Sequence, residues 1–191
     1  MSGGHRMSFE KHGRLDSPDR LEFQPVGPLV DLAGQGSPST VLDLGAGIGY
    51  FTIPLARRFE SVVALDVEPR MLEKLRTRAE QAGVAGRIRT LPGVAEKIPL
   101  QAGSVDLVLM TNLYHELDDR SAALAEARRV LAAGGRIIVC DWDPGAPGEK
   151  GPPRDHRIDP EIARTELERA GFGNISTHRL YRDFYLLSAD A

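Results

Sequence analysis

The chain has 191 residues, of which 41% are hydrophobic and 27% are charged, and its formal net charge is −3. This length and composition are typical of one globular domain with a hydrophobic core. A protein that binds duplex nucleic acid usually shows a basic excess or a clustered basic stripe, and the chain has neither. The composition therefore predicts that nucleic acid is not a partner.

Cysteine and histidine usage argues against a metal or disulfide framework. Cys140 is the single cysteine, which excludes an internal disulfide framework and a cluster of cysteine metal ligands. The five histidines stand at positions 5, 12, 115, 156 and 178, and no pair of them has the spacing of helical metal ligands. We therefore predict no metal site.

No apolar run in the chain approaches the roughly 18 residues that a membrane-spanning helix needs. The first residues, MSGGHRMSFEKHGR, also lack the apolar core of a signal peptide. We expect a cytoplasmic protein without a membrane span.

The first half of the chain alternates predicted strands and helices. A short helix over residues 25–33 precedes an apolar strand at 41–44, and a helix with an apolar residue every fourth position covers 51–59. A buried-type strand at 61–65 ends at Asp66. The next helix begins at Glu68-Pro69, because proline fits a first helical turn, and it ends at Gly83.

The second half continues the alternation and ends differently. Strands are predicted at 87–91, 105–110 and 136–140, with a helix around 124–131 that the Gly134-Gly135 pair closes. A Pro/Gly-rich loop at 143–158 leads to a helix with Asp159 as its N-cap and Gly171 as its end. Two further strands, joined by a predicted tight turn at Arg182-Asp183, form an antiparallel pair.

Alternating strands and helices predict a parallel sheet with helices on both faces, to which the final pair adds an antiparallel member. Ligands of such sheets bind outside the carboxyl ends of the strands, where the strand order reverses. The residues that directly follow each strand are therefore the candidates for function.

The stretch TVLDLGAGIGYF places Gly45, Gly47 and Gly49 directly after the first strand. This spacing is G-x-G-x-G rather than the dinucleotide fingerprint G-x-G-x-x-G, and no Lys-Ser/Thr pair of a phosphate-binding loop follows. Asp43, at the end of the first predicted strand and two residues before Gly45, would repel a pyrophosphate and attract an ammonium or sulfonium group. The pattern favours a cationic ligand, and a tight turn with incidental glycines is the alternative.

Asp66 stands at the end of the second strand, 23 residues after Asp43. An acid about 20 residues beyond a glycine turn commonly binds both ribose hydroxyls of an adenosine, because a carboxylate offers two acceptor oxygens. The alternative for Asp66 is a solvated strand end or a helix cap. Glu68, two residues later, is better explained as a cap than as a ligand.

Four segments, VLDLGAGIGYFT, ALDVEPRML, GVAEKIPL and VDLVLMTNLYHELDD, together resemble the class I S-adenosylmethionine-dependent methyltransferases, and the branch with small-molecule and quinone-type acceptors is closest. The resemblance covers residues 38 to 190. It implies an α/β, three-layer Rossmann-like sandwich whose seven-stranded sheet is mostly parallel with an antiparallel last strand. Residues 38–191 would form the methyltransferase domain, and residues 1–37 would form an N-terminal arm and helix that acts as a lid.

The resemblance also implies a set of S-adenosylmethionine contacts. The methionine part would lie against Asp43, Gly45, Ala46, Gly47 and Gly49. Asp66 would bind the ribose, Val67 would flank the adenine, and Ala95 and Glu96 would contact its edge. Asn112 would provide a backbone contact to the cofactor. In the N-terminal arm, Phe9, His12, Arg14 and Leu15 are the residues expected to close over the site, and a solvated helical arm is the alternative.

His115 follows the fourth strand, where the methyl group of the cofactor is expected to emerge. An ordinary pKa near 6.5 suits a histidine for proton removal close to neutral pH, so His115 is the catalytic candidate. The alternative is a structural histidine that fixes its loop. Tyr114, Asp141 and Trp142 are further candidates for lining a pocket for a small-molecule methyl acceptor, and plain packing is the alternative for each.

Competing functions remain open from the sequence. A nicotinamide-dependent oxidoreductase is disfavoured by the G-x-G-x-G spacing, by Tyr50 and by Asp43. A binding module that keeps the S-adenosylmethionine pocket without catalysis is the second alternative. A nucleic-acid methyltransferase is the third, and the segment TNLY lacks the N-P-P-Y-type signature of enzymes that methylate base amino groups. The acceptor stays unidentified, and a homodimer stays open.

Overall fold

A computed structural model describes residues 19–148 and 150–191. The helices are α1 (Arg20–Phe23), α2 (Val26–Ala33), α3 (Thr52–Arg58), α4 (Pro69–Gln81), α5 (Arg120–Val130) and α6 (Pro160–Arg169). The strands are β1 (Thr40–Leu44), β2 (Ser61–Asp66), β3 (Ile88–Pro92), β4 (Val105–Thr111), β5 (Leu131–Trp142), β6 (Gly173–His178) and β7 (Phe184–Asp190). Within these residues, helices alternate with strands from β1 to β6, except that no α-helix separates β3 from β4.

The described strands form one seven-stranded sheet in the order β3-β2-β1-β4-β5-β7-β6. Strands β1 to β5 pair in parallel, whereas β7 is antiparallel to both β5 and β6. The predicted fold, with its antiparallel last strand, is confirmed. Strand order reverses between β1 and β4, and the carboxyl ends of these strands therefore form the edge where a ligand is expected.

Two hydrophobic cores cover the two faces of the sheet. Helices α2, α3 and α4 pack on one face, where Leu29, Leu55 and Leu75 are fully buried. Helices α5 and α6 pack on the other face, where Leu124 and Leu167 are buried. Strands β1 and β4, which lie in the middle of the sheet, are almost completely buried. This burial explains their continuous apolar sequences, because both of their faces meet helices.

Two predicted helix caps are confirmed. The Glu68 side chain accepts a hydrogen bond from the backbone N–H of Arg70, and the Asp159 side chain accepts one from Glu161. In both helices, proline follows the cap directly, at a position where no backbone donor is needed.

The start of β5 differs from the prediction. Helix α5 ends at Val130, and β5 begins at Leu131 and runs through Gly134-Gly135. The register against β4 shifts here, because Leu131 pairs with Val105 whereas Arg136 pairs with Leu107. The glycine pair therefore lies in an irregular part of the strand. The prediction that it closes the helix was wrong, since glycine also marks strand irregularities.

The connection of the last two strands also differs. Five residues, 179–183, join β6 to β7 in place of the predicted tight turn at Arg182-Asp183. Asp183 is buried and forms an ion pair with Arg182, and its backbone oxygen accepts a hydrogen bond from Asp143. The connection thus packs against the loop after β5. Turn propensities do not predict this contact, because it is long-range in sequence.

The described part of the N-terminal arm packs onto the sheet. Leu29 and Ala33 of α2 are fully buried in the first core, and Arg136 of β5 donates hydrogen bonds to three carbonyls at the end of α2. The predicted lid residues Phe9, His12, Arg14 and Leu15 lie outside the described residues. The division at residue 38 stays a prediction.

Across residues 19–148 and 150–191, none of the helices combines the length and the apolar character that a bilayer crossing requires. Those same residues contain no group of three or more His, Cys, Asp or Glu side chains placed to hold a metal ion.

Substitution of Gly49 tests how strictly the turn depends on glycine. Gly49 has φ +87°, and a Cβ there would lie 2.9 Å from Cγ of the fully buried Leu75. We expect Gly49→Ala to lower the free energy of unfolding by about 1–3 kcal/mol, measured by urea denaturation. Gly27→Ala is the matched control, because a Cβ at this position of α2 meets nothing within 4 Å. Equal stability of the two variants would contradict the prediction.

Candidate functional site

The glycine turn lies between β1 and α3 and is tied to the end of β2. Gly45, Gly47 and Gly49 all have positive φ, at +77°, +53° and +87°. The backbone N–H groups of Gly45 and Ala46 both donate to the carbonyl of Leu65. The turn is therefore a defined backbone conformation that only glycine adopts easily, which argues against incidental glycines.

Asp66 connects the turn to the second strand. Its Oδ2 accepts a 2.7 Å hydrogen bond from the Gly47 N–H, and its Oδ1 accepts a 2.9 Å bond from the Glu68 N–H. Burial raises the pKa of this carboxyl, although the backbone hydrogen bonds act in the opposite direction. Each carboxylate oxygen has two lone pairs, so Asp66 can hold the turn and still accept further hydrogen bonds.

Asp43 is buried beneath the turn. Its Oδ2 accepts a 2.6 Å hydrogen bond from the Thr52 hydroxyl, whereas its Oδ1 has no hydrogen-bond partner among the described residues. Burial raises the pKa of Asp43 to about 6; the charge of Asp66 acts in the same direction, and the Thr52 hydrogen bond and the charge of Arg20 act against it. A cation that reaches this carboxylate would lower that pKa again.

The loop after β3 brings a third carboxylate to the same edge. Residues 93–97 are held beside Asp66 by a hydrogen bond from the Gly93 N–H to the Asp66 carbonyl. Ala95 in this loop is buried, and Oε1 of Glu96 is buried without a hydrogen-bond partner in the described part of the chain. Val67, which follows Asp66, is 48% exposed. The predicted residues on the adenosine side are therefore neighbours in the fold.

Asn112 directly follows β4 and has a left-handed conformation, with φ +55°. Its backbone N–H donates to the carbonyl of Cys140 at the end of β5, and its side-chain amide exchanges hydrogen bonds of 3.0 and 3.2 Å with Gln24. The same Gln24 amide donates to the Cys140 thiol at 3.6 Å. Asn112 thus joins the ends of two strands to the segment that covers them.

His115 is held by Asp141 at the carboxyl end of β5. Oδ1 of Asp141 lies 2.7 Å from His115 Nδ1, and Oδ2 accepts a 3.0 Å bond from the His115 backbone N–H. A carboxylate only accepts hydrogen bonds, so Nδ1 carries the proton and Nε2 keeps its lone pair. Nε2 lies 3.7 Å from Glu116. Burial lowers the pKa of His115, but the charge and hydrogen bond of Asp141 outweigh it and leave the pKa raised.

Tyr114 and Trp142 pack against other elements. The Tyr114 hydroxyl donates a 2.6 Å hydrogen bond to Glu166 of α6 and is fully buried. The Trp142 ring lies 4.2 Å from the Phe184 ring and 5.9 Å from the Phe23 ring, measured between centroids. Tyr114 therefore fixes the loop to α6, and Trp142 belongs to an aromatic cluster under the N-terminal segment.

Helix α1 contacts the edge with the glycine turn through residues that no sequence pattern singles out. Arg20 places its guanidinium carbon 3.8 Å from the centre of the Tyr50 ring, and the Tyr50 hydroxyl donates a 2.7 Å hydrogen bond to the Gln24 carbonyl. Lys150 of the loop after β5 forms an ion pair with Asp19. No local pattern in RLEFQP distinguishes these residues from a solvated arm, because their partners lie far away in sequence.

The chain is similar in sequence to known methyltransferases. The family model described as a methyltransferase domain matches residues 42–139. An uncharacterized methyltransferase of Mycobacterium tuberculosis is 46% identical over 97 residues, which are 51% of this chain and 37% of that protein. A demethylmenaquinone methyltransferase of Thermus thermophilus is 36% identical over 124 residues, which are 64% of this chain and 56% of that protein.

A crystal structure of a SAM-dependent methyltransferase from Aquifex aeolicus is similar over nearly the whole fold. Its TM-score is 0.87 at 27% identity, and the similarity covers 97% of this chain and 99% of that one. By contrast, this chain spans only 37% and 56% of the two relatives compared by sequence. The similarity to those two relatives is therefore a similarity of the methyltransferase domain, and it does not extend over their full lengths.

The raised pKa of Asp43 predicts how stability depends on pH. The folded state binds this proton more tightly than the unfolded state, so the stabilisation is complete below pH 3.8 and is lost as pH rises to about 6. Asp43→Asn removes this dependence. We expect the stability of the variant relative to the wild type to rise by about 2–3 kcal/mol between pH 4 and pH 7.

Urea denaturation at the two pH values measures this difference. Asp31→Asn, which removes an exposed carboxylate of α2, controls for the loss of one negative charge. The same relative stability of Asp43→Asn at pH 4 and pH 7 would show that burial does not disfavour the charged form of Asp43.

Proposed function

Because the chain belongs to the S-adenosylmethionine-dependent methyltransferase family, we propose that it transfers a methyl group from S-adenosylmethionine to a small-molecule acceptor. The observation that carries the proposal is the set of carboxylates around the glycine turn. Asp43 and Glu96 each bury an oxygen without a hydrogen-bond partner among the described residues, and Asp66 lies between them along the strand ends. Such acceptors favour a ligand that brings donors or positive charge.

The residues present fit the cofactor that the family implies. We assign the methionine part to Asp43, Gly45, Ala46, Gly47 and Gly49, in line with the positive φ of the three glycines and the partnerless oxygen of Asp43 among the described residues. Asp66 would accept from the ribose hydroxyls. Val67, Ala95 and Glu96 would surround the adenine, with Glu96 accepting from its amino group, and Asn112 would add a backbone contact. When bound, the cofactor supplies a methyl group on a sulfonium, so the protein needs chiefly to position an acceptor.

His115 would act as the general base for an acceptor that arrives protonated. Asp141 accepts three N–H bonds, from His115 Nδ1, the His115 backbone and the Trp142 backbone, and is thereby fixed in position. This arrangement orients the imidazole and directs its free lone pair to Nε2. A histidine oriented by a buried carboxylate is a common arrangement for proton removal.

The acceptor we favour is a small molecule with an aromatic ring. Trp142, Phe23 and Phe184 form an aromatic cluster next to the carboxyl end of β5, which would provide an apolar wall for such an acceptor. The relative from Thermus thermophilus acts on a quinone, as its name states, which supports an aromatic acceptor class for this chain.

The first experiment separates the proposed function from the competing ones. Calorimetric titration with S-adenosylhomocysteine and with NADH compares the two cofactor classes on the same protein. Methyl transfer is then tested by incubating the protein with S-adenosylmethionine and with catechol, a reduced naphthoquinone or tyramine. The release of S-adenosylhomocysteine is measured for each acceptor. Binding of NADH in place of S-adenosylhomocysteine would overturn the proposal, and tight S-adenosylhomocysteine binding without any transfer would favour a non-catalytic binding module.

Substitution of Asp66 tests the ribose contact. We expect Asp66→Ala to weaken S-adenosylhomocysteine binding by about tenfold or more in calorimetry, because a charged acceptor of two hydroxyl groups is lost. Asp66 also holds Gly47, so the unfolding free energy is measured in parallel, and Asp66→Asn keeps one acceptor oxygen as an intermediate variant. Unchanged affinity of a folded Asp66→Ala protein would remove Asp66 from the ribose site.

Substitution of His115 tests the general base. We expect His115→Ala to lower kcat by about a hundredfold or more, with little change in S-adenosylhomocysteine affinity, for an acceptor identified in the panel. The wild-type rate should rise with pH as His115 loses its proton, at a pH above the ordinary histidine pKa, because Asp141 raises that pKa. Asp141→Asn should move this limb to lower pH. A normal rate in His115→Ala would make the histidine a structural residue.

A further inference from the structure

Glu116 places a carboxylate beside the nitrogen at which His115 is proposed to take a proton. Oε1 of Glu116 lies 3.7 Å from His115 Nε2, and only 8% of the His115 side chain and 15% of the Glu116 side chain are exposed. Both residues belong to the short 3₁₀ helix Tyr114–Glu116. Asp141 holds the imidazole, and the Glu116 N–H donates to the Leu113 carbonyl. The backbone and Asp141 therefore fix where the two side chains lie.

His115 Nε2 and Glu116 Oε1 form a pair of hydrogen-bond acceptors. With its proton on Nδ1, the imidazole has only a lone pair at Nε2, and a carboxylate has only lone pairs. A separation of 3.7 Å is also too long for a hydrogen bond between them. A carboxylate has about four lone-pair sites, so Glu116 can accept a donor from a ligand in addition to other contacts. The pair therefore favours a ligand that brings two donors side by side.

The separation of the two acceptors indicates how these donors are arranged. One ammonium nitrogen that gives both acceptors straight hydrogen bonds of about 2.9 Å would need them about 4.7 Å apart, and 3.7 Å is shorter. Two hydroxyl groups on neighbouring ring carbons lie side by side and donate to separate acceptors, which fits better.

The charge of Arg157 also disfavours a cationic acceptor at this place. Its guanidinium carbon lies 5.5 Å from the centre of the Trp142 ring, and its charge is close enough to act on His115. Arg157 would repel an ammonium group and would stabilise the negative charge that develops on an oxygen as its proton leaves. The aromatic side chains next to β5 favour a ring as the carrier of the two hydroxyl groups.

We propose that Glu116 determines acceptor specificity by binding a hydroxyl group next to the one that is methylated. The proposal rests on the proposed function, because it places the methylated oxygen at His115 Nε2. In the transfer step, that oxygen gives its proton to Nε2 and forms a bond to the methyl carbon. The bond between this carbon and the sulfonium sulfur breaks, and its electron pair stays on sulfur. The neighbouring hydroxyl keeps its proton, donates to Glu116 and is not methylated.

Two isomers of one acceptor test the proposal by calorimetry. Catechol has its hydroxyl groups on neighbouring carbons, and resorcinol has them one carbon further apart. With the protein saturated with S-adenosylhomocysteine, we expect the wild type to bind catechol about tenfold or more tightly than resorcinol, because a hydrogen bond to a charged acceptor is gained. Glu116→Ala should reduce this preference to less than about threefold. Glu116→Gln, which keeps a neutral acceptor oxygen, should lie between them.

Two further measurements separate this role from a structural one. Asp118→Asn removes an exposed acid of the same loop and should leave the preference for catechol unchanged. In the ligand-free protein, NMR titration should show a lower pKa of His115 in Glu116→Gln than in the wild type, because a carboxylate near Nε2 stabilises the imidazolium. The charges of Asp141 and Arg157, which also act on this histidine, are the same in both proteins.

The outcomes are distinct. Equal affinity of the wild type for the two isomers, or no binding of catechol, would overturn the proposal and leave the proposed function intact. Tighter binding of tyramine than of catechol would also overturn it, because the site would then select an ammonium group. An equal loss for both isomers in Glu116→Ala would show that Glu116 acts only by holding its loop. A wild type that binds no S-adenosylhomocysteine would overturn the proposed function itself, and the role of Glu116 with it.

Discussion

The hydrogen bond from the Gly47 N–H to Asp66 is the contact on which the arrangement of the site depends. It connects the turn after β1 to the end of β2, and the Gly45 and Ala46 N–H groups strengthen the same connection through the Leu65 carbonyl. Parallel pairing alone brings the strand ends to one edge, but it does not determine the path of the turn. With the turn fixed, the carboxylates of Asp43 and Asp66 lie on either side of one short backbone segment.

Burial of charge is the second property of this edge. Asp43 and Glu96 each bury one oxygen that has no hydrogen-bond partner among the described residues, and the buried Arg20 donates its hydrogen bonds to the neutral Gln24. A fold selected for stability alone would pair or replace them. A bound ligand would supply the partners that these three buried groups lack. The groups would then need no rearrangement when a charged ligand binds. In this view some stability of the ligand-free protein is given up for an organised site.

Contacts across the strand ends join the covering segment to the chemistry of the site. Gln24, Asn112 and Cys140 link α1 to the ends of β4 and β5, and Asp141, the next residue of β5, orients His115. A displacement of α1 would therefore disturb the ends of β4 and β5, where the acceptor is proposed to bind. The aromatic cluster around Trp142 extends the same contact to Phe23 of α1.

The sequence by itself determined the strand and helix order, the caps at Glu68 and Asp159, and the glycine turn with its two acids. These features follow from residues close together in the chain, through periodicity, capping and the conformational preference of glycine. The tertiary structure decided the irregular start of β5, the five-residue connection before β7, the pairing of His115 with Asp141 and the burial of Arg20. These features join residues that are distant in sequence: His115 and Asp141 are 26 positions apart, and Gln24, which accepts from Arg20, contacts Cys140 across 116 positions. Local propensities cannot specify them, because such contacts exist only once the sheet has placed its strand ends together.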